Sequence, residues 1–409
     1  MLQLPVPALR PFHNCYKYFG RYSLLELQKV ERLRNIKKNI ISALLILMII
    51  ATSWPLLRGI AFGRYVNPNN VGIHPTLLEH QGTAAESPSG FSPAQIRTAY
   101  NLPSSGGSDT IAIIDAFDDP TVLDDLNVFS SQFNLPPVNS TNFEKHMMAP
   151  SIPENDWWAA EISLDVQWAH AIAPSAKILL VEAQDNSNPS LYSAVDYARN
   201  RADVVAISMS WGGPEYYEET DQDFHFTSDY GASFFASSGD EGAFHYLYPA
   251  ASPNVIAVGG TVLTLNVDGS VASETGWDRS GGFRSWREPE PLYQLAYGVL
   301  SIGSYRVVPD VSYHAVNYST YESFNPSESG WFNETGTSAG APQWAAIESL
   351  GLSCFSDRFY KIASGPLYQS DFRDITSGNN GQPAGPGFDY VTGLGSPLTT
   401  VFDYPSPAR

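Results

Sequence analysis

Apolar positions along this chain follow two rhythms, and the change from one to the other outlines the fold. Short apolar runs at 110–115, 177–182, 203–209, 233–237 and 255–261 have the length and composition of buried strands. Between and after them lie segments at 157–170, 190–201 and 340–351 with helical character. In the first of these, Trp157, Trp158, Ala160, Leu164 and Trp168 recur at helical spacing, which predicts a mostly buried helix. Strands alternating with helices predict an α/β domain with a mainly parallel central sheet and helices on both faces.

A third pattern stands outside that domain. Ile40–Leu57 runs for 18 residues without a charge, close to the minimum for a membrane span. Residues 1–38 before it carry eight Lys/Arg against Glu26 and Glu31, a basic tail that would stay in the cytoplasm. We read residues 39–62 as a transmembrane signal anchor that places the following domain outside the cytoplasm. A cleaved signal peptide, giving a secreted enzyme, is the competing reading, but the charged leader is long and no clean small-x-small site follows the apolar core. Residues 63–90, with Asn67-Pro68-Asn69-Asn70 and Glu86-Ser87-Pro88-Ser89-Gly90, read as a linker, and 91–405 as the folded domain.

Charge sharpens the division. The formal charge is −19, yet beyond position 64 there are thirteen basic residues against forty acidic ones. So acidic a domain excludes nucleic acid as a partner and suits solubility in acid. Cys15 and Cys354 fall on opposite sides of the apolar run, so no intrachain disulfide is expected. The oligomeric state is not readable, with a monomer the simplest expectation.

Three motifs carry candidate chemistry. Glu161 and Asp165 are four apart on the predicted helix and so share one face, where paired carboxylates raise each other's cost of ionisation. Tryptophan and aliphatic neighbours make that a poor setting for idle charge. Phe234-Phe235-Ala236-Ser237-Ser238-Gly239-Asp240 reads as a strand leaving the sheet at its carboxyl end, where α/β proteins place their sites. Thr335-Gly336-Thr337-Ser338-Ala339-Gly340-Ala341-Pro342 suits a serine presented at a helix start, with small neighbours that admit a substrate backbone.

Together these motifs resemble the sedolisin family, the serine-carboxyl peptidases with a subtilisin-like fold. The resemblance runs in family order from about residue 91 to 400 and implies Ser338 as nucleophile, Glu161 and Asp165 as the carboxyl pair, and Asp240 as the oxyanion-hole acid. It implies a cleft wall in Ser208-Met209-Ser210-Trp211-Gly212-Gly213, with Ser210, Trp211 and Gly212 binding substrate. It also implies a calcium loop, with Ca2+ held by the carboxylates of Asp374 and Asp389 and the carbonyls of Ile375, Gly385 and Gly387, a hard-oxygen set that calcium prefers. The substrate would be a peptide or protein, with the membrane as the other partner.

The chemistry is readable from the residues. A serine hydroxyl needs a positioned base, and Glu161 with Asp165 behind it can serve in acid, where a histidine would be protonated. Asp240 can donate to an oxyanion only while protonated. Both requirements place the working pH below about 5. An ordinary Ser-His-Asp enzyme is the rival within hydrolases. Thr110–Asp115 reads as that fold's first strand and aspartate, but no His-Gly-Thr helix start exists, and His170 reads as a packed or capping residue. A catalytically silent, peptide-binding module of the same fold is the rival outside enzymes. One departure from the family stands out. Residues 63–90 are too short for a separate folded prodomain, which puts self-activation by prosegment removal in doubt.

Overall fold

The computed structural model describes residues 73–103, 107–299, 303–327, 329–351 and 356–398. The basic tail, the proposed signal anchor at 39–62, Cys15 and Cys354 lie outside the described residues. Among the described residues no helix is long and apolar enough to cross a membrane.

The chain opens with β1 (His74–Pro75), β2 (Leu77–Ala85) and α1 (Pro93–Ala99), then β3 (Thr110–Ala116), α2 (Val122–Gln132) and β4 (Phe143–Met147). Next come α3 (Asp156–Ile172), β5 (Lys177–Ala183), α4 (Asn188–Arg199), β6 (Val204–Met209) and β7 (Trp211–Pro214). They are followed by β8 (Ser233–Ser237), β9 (Leu247–Tyr248), β10 (Ile256–Leu265), β11 (Val271–Gly276) and β12 (Phe283–Pro289). The last part holds α5 (Leu292–Tyr297), β13 (Tyr305–Val308), β14 (Val311–His314), β15 (Tyr318–Glu322) and β16 (Gly330–Gly336). It closes with α6 (Gly340–Ser349), α7 (Ser356–Ala363), α8 (Tyr368–Asp371), β17 (Phe372–Arg373) and β18 (Ser396–Pro397).

The central sheet has eight strands in the order β11-β10-β8-β6-β3-β5-β4, with β14 also paired to β10. Every pairing in it is parallel except β10 with β11. Period-2 geometry divides its side chains between two cores. Ile111, Ile113, Ile178 and Leu180 join α3 and α6 on one face, while Ala112, Ile114, Leu179 and Val181 join α4 on the other. A sheet covered on both faces explains why its strands are apolar throughout rather than alternating. The expected strands and helices are all present, with ends displaced by a few residues.

The expected buried helix is present, with one of its marked residues placed otherwise, and the expected linker changes. Fifteen of the seventeen residues of α3 are buried, from Trp158 to Ile172. The helix is enclosed on every side, and the apolar spacing did not mark one face: Trp157 is exposed. The segment read as a linker also contributes structure. Within it, β1 pairs antiparallel with β7, and β2 pairs antiparallel with β16 in a small sheet that also contains β15. Turn-forming residues on either side hid these strands, because edge pairing leaves little period-2 signal in so short a run.

Candidate active site

The site assembles at the carboxyl ends of the parallel strands, where chain reversals expose backbone polar groups. Asp115 is the last residue but one of β3, Ser210 follows β6, and Ser237 ends β8 just before Asp240. Ser338 sits in a single 3-10 turn, Thr337–Ala339, between β16 and α6. The run of small residues there has a packing cause. A Cβ on Gly340 would stand 2.7 Å from Val258 of β10, so only a bare backbone lets α6 start that close to the sheet.

Glu161 and Asp165 project from α3, which packs directly against α6. Both carboxyls are completely buried, as is Ser338. Ser210 Oγ donates to Asp165 Oδ1 at 2.8 Å and also approaches the Ser338 carbonyl at 3.3 Å, linking the two helices. By distance, the Glu161 oxygens and Asp165 Oδ2 make no full hydrogen bond among the described residues, although the Ser338 hydroxyl is near enough to act on Glu161. Burial pushes Glu161 well above the usual carboxylate range; Asp165, Asp115 and Asp240 add to the rise, and the Ser338 hydroxyl opposes it. Burial does the same to Asp165, with Asp115 adding to it and Ser210 opposing it.

Asp240 is held by one oxygen only. Its Oδ1 accepts from Thr337 N at 2.8 Å and Thr337 Oγ1 at 2.7 Å, while buried Oδ2 has no partner among the described residues. Burial pushes its pKa up to about 7 despite the Thr337 donors. Below that pH the orphaned oxygen carries a proton it can donate. Gly239 supplies the turn before it with φ of +110°, a conformation side chains resist.

Sequence reasoning set Asp115 aside, and the structure brings it to the site. Its carboxyl is fully buried without partners among the described residues, and burial with Glu182 beside it pushes it up to about 8. Glu182 in turn lies 3.0 Å from Lys145 and is pushed up to about 7 by its own burial. A row of carboxyls therefore runs from Ser338 into the core. The available signal was a strand ending in aspartate, and nothing in the sequence distinguished it from a structural residue.

Trp211 is placed differently from expectation. Its indole is completely buried and donates to the Ile114 carbonyl at 2.7 Å, so only its backbone faces the cleft. Gly212 pairs there with His74. Among the described residues no histidine hydrogen-bonds Ser338. His314 is buried, accepts from Leu263 N at 3.0 Å, and is pushed down to about 4 by burial; His170 meets the Pro136 carbonyl at 3.0 Å.

The loop carrying Asp374 and Asp389 folds both carboxylates onto one short segment. Asp374 accepts from Gly387 N at 3.1 Å, and Asp389 from Gly385 N at 2.9 Å. No described residue donates a backbone hydrogen bond to the carbonyls of Ile375, Gly385 or Gly387. Among the described residues no three His, Cys, Asp or Glu side chains cluster for a metal, so any cation here would rely on carbonyl oxygens. The loop braces the Asp240 turn: Ala243 N donates to Asn380 O at 2.8 Å, and Asn380 Nδ2 to Ser280 O at 2.7 Å.

These protonated carboxyls bear on stability. Asp115, Glu182 and Asp240 have folded values raised above their unfolded ones near 4, so between about pH 4 and pH 8 the unfolded chain binds fewer protons. Stability is therefore fullest near pH 4 and falls toward pH 8. Below pH 4 the sign reverses, because Asp203, held down to about 2 by Arg201, loses its pairing. Melting temperature should peak near pH 4 in a scan from 3 to 8; a steady rise up to neutrality would mean these carboxyls are ionised in the fold.

Residues 153–356 match the subtilase family model (Peptidase S8). The chain is 31% identical over 360 residues to kumamolisin of Bacillus sp., covering 76% of this chain and 62% of that protein. It is 29% identical over 384 residues to sedolisin of Pseudomonas sp., covering 80% and 64%. The chain thus spans a little under two thirds of the length of these relatives. Among solved structures, Pseudomonas sedolisin complexed with two molecules of pseudo-iodotyrostatin superposes with a TM-score of 0.65 at 28% identity, covering 79% of this chain and 97% of that one.

Proposed function

Starting from a chain that belongs to the sedolisin family, we propose that it hydrolyses peptide bonds in acid through an acyl-enzyme on Ser338. The observation that carries this reading is the buried meeting of Ser338, the Glu161–Asp165 pair and the half-satisfied Asp240. Glu161 takes the serine proton as the hydroxyl attacks. Two adjacent buried carboxyls cannot both ionise, so the pair keeps at least one proton; this reading puts that proton on Asp165 and the vacancy on Glu161, with Asp115 behind them. Asp240 donates from Oδ2 to the oxyanion, in a site where desolvation strengthens the bond. Glu161 then returns the proton to the leaving amine, and water releases the acyl group by the same route in reverse.

The test is hydrolysis of a mixed peptide library from pH 3 to 8, with Ser338→Ala as control. Products should form with a maximum below about pH 5. An optimum above neutrality would remove the carboxyl assignments. In the cell, the apolar run at 40–57 would tether the domain to a membrane on its outer side.

Calcium fits the loop described above: two carboxylates and three carbonyls that accept no backbone hydrogen bond from the described residues form the hard-oxygen set it takes. Asp374, Asp389 and the carbonyls of Ile375, Gly385 and Gly387 would hold it, and the ion would supply rigidity rather than reactivity. Because the loop braces Ala243 and Ser280, the gain goes to the Asp240 turn. At a hundredfold excess over Kd, calcium binding only to the native state adds about 2.7 kcal/mol. Chelator at pH 7 should lower the melting temperature by on the order of 5 °C, and calcium should restore it. A melting temperature indifferent to both would reject the site.

A further inference from the structure

The mouth of the cleft holds a residue that the fold alone does not explain. Phe244 has φ at +72°, in the left-handed region where a bulky side chain is an outlier, yet it is 61% exposed and belongs to neither core. Its neighbours impose that backbone: Ala243 N donates to Asn380 O at 2.8 Å, and Phe244 N to Gly282 O at 3.2 Å. Glycine would take the same conformation without strain. A strained backbone that carries an exposed ring gains nothing in packing, and such strain gathers at functional sites.

Phe244 borders a cavity of about 480 Å³ that begins at Asp240 and runs along β7 past Gly212 and Pro214. Leu247 makes one wall of it, seated against two bare backbones. A Cβ on Gly239 would stand 2.5 Å from Leu247 Cδ1, and one on Gly212 would stand 3.3 Å from Leu247 Cβ. Trp286 makes another wall and is 45% exposed, with the Arg287 guanidinium 4.9 Å over its ring. Exposed aromatic rings gathered round a concavity mark a place where an apolar group binds. The carboxyls that line the cavity offer a cation little. Glu215 accepts from Ser285 Oγ and from Trp286 N at 3.1 Å, Glu241 lies 2.6 Å from His245 Nδ1, and Asp240 holds its proton in acid.

We propose that Phe244 and Trp286, with Leu247 between them and β7, determine specificity by receiving an aromatic side chain from the residue that supplies the scissile carbonyl. The proposal rests on the peptidase reading above, and it names the substrate side chain that reading leaves open. Asp240 at one end of the cavity fixes the position, because the side chain nearest the oxyanion donor belongs to the residue whose carbonyl is attacked. Ring against ring adds to the area buried, which favours an aromatic group over an aliphatic one of similar size.

The test compares peptides of one sequence that differ only in the residue supplying that carbonyl: Phe, Leu, Ala, Arg or Glu. The full chain is assayed at pH 4 for kcat/KM, and mass spectrometry identifies the bond cut. Phe should exceed Ala by roughly 10²-fold and lead the other three, since a filled apolar subsite discriminates on that scale. Phe244→Gly should lower the Phe-to-Ala ratio by about tenfold or more while its melting temperature holds or rises. Trp286→Ala should lower the ratio in the same direction, and Phe244→Tyr should keep it. Rates that fall equally on all five peptides in Phe244→Gly, with a lower melting temperature, would make Phe244 a structural residue and overturn the proposal. A wild-type preference for another residue of the set, or a preference for rings exerted at a different substrate position, overturns it too and leaves the peptidase reading standing. A chain that cuts none of the five peptides nor the mixed library overturns both.

Discussion

Replacing Ser338 with alanine is expected to lower kcat on a peptide substrate by about 10⁶-fold with little change in KM, because it removes the bonding atom and leaves the cleft intact. Glu161→Gln should cost nearly as much. The amide keeps the shape of the completely buried carboxyl but cannot accept the serine proton. If Ser338 and Glu161 act as a unit, as proposed, the double variant should be no slower than either single one. Single-turnover and steady-state rates at pH 4, with melting temperatures to confirm folding, decide the point. More than a tenth of wild-type activity in either single variant, or losses that multiply in the double, would mean that Ser338 and Glu161 do not act on the same proton.

Asp240 supports a second large effect with a distinctive pH signature. Asp240→Ala removes one oxyanion donor and should reduce kcat by about 10²–10³. Asp240→Asn should do something different. Thr337 N and Thr337 Oγ1 both approach the same oxygen, so they would fix the amide with its oxygen toward Thr337 and its NH2 where Oδ2 now lies. That variant donates at every pH, whereas Asp240 stops donating as pH rises through about 7. The alkaline limb of kcat should therefore move upward in Asp240→Asn, with much of the acid activity retained. If asparagine proves as damaging as alanine at all pH values, Asp240 acts through its charge or its proton and not as a simple donor.

Much of this was legible in the sequence because buried strands and helices announce themselves by apolar runs. β3, β5, β6, β8 and β10 were found within a few residues of their ends, and so were α3, α4 and α6. The Glu161–Asp165 spacing gave a shared face, and the small residues around Ser338 gave a tight helix start. Asp115 escaped because burial of a lone carboxyl depends on Glu182 and Asp165, which come from elements that only the tertiary fold brings together. Trp211 misled because a residue in a cleft-wall motif can contribute backbone to the cleft while its side chain turns into the core. β1 and β2 were missed since their pairing partners lie more than a hundred residues away.

The enclosure of α3 and α6 has a further consequence. Glu161 rides on α3 and Ser338 on the turn that leads into α6, two helices packed on every side, so the gap between the proposed base and nucleophile is set by how the core fills its volume, and close-packed interiors yield little to loop movement. The cleft wall is built otherwise, from the two-residue β9, the four-residue β7 and exposed side chains such as Phe244. Rate and selectivity are therefore stored in separate materials. A lineage can rewrite the wall for new side chains without disturbing the reacting atoms, whereas a single methylene added beneath α3 reaches the chemistry before it reaches the substrate.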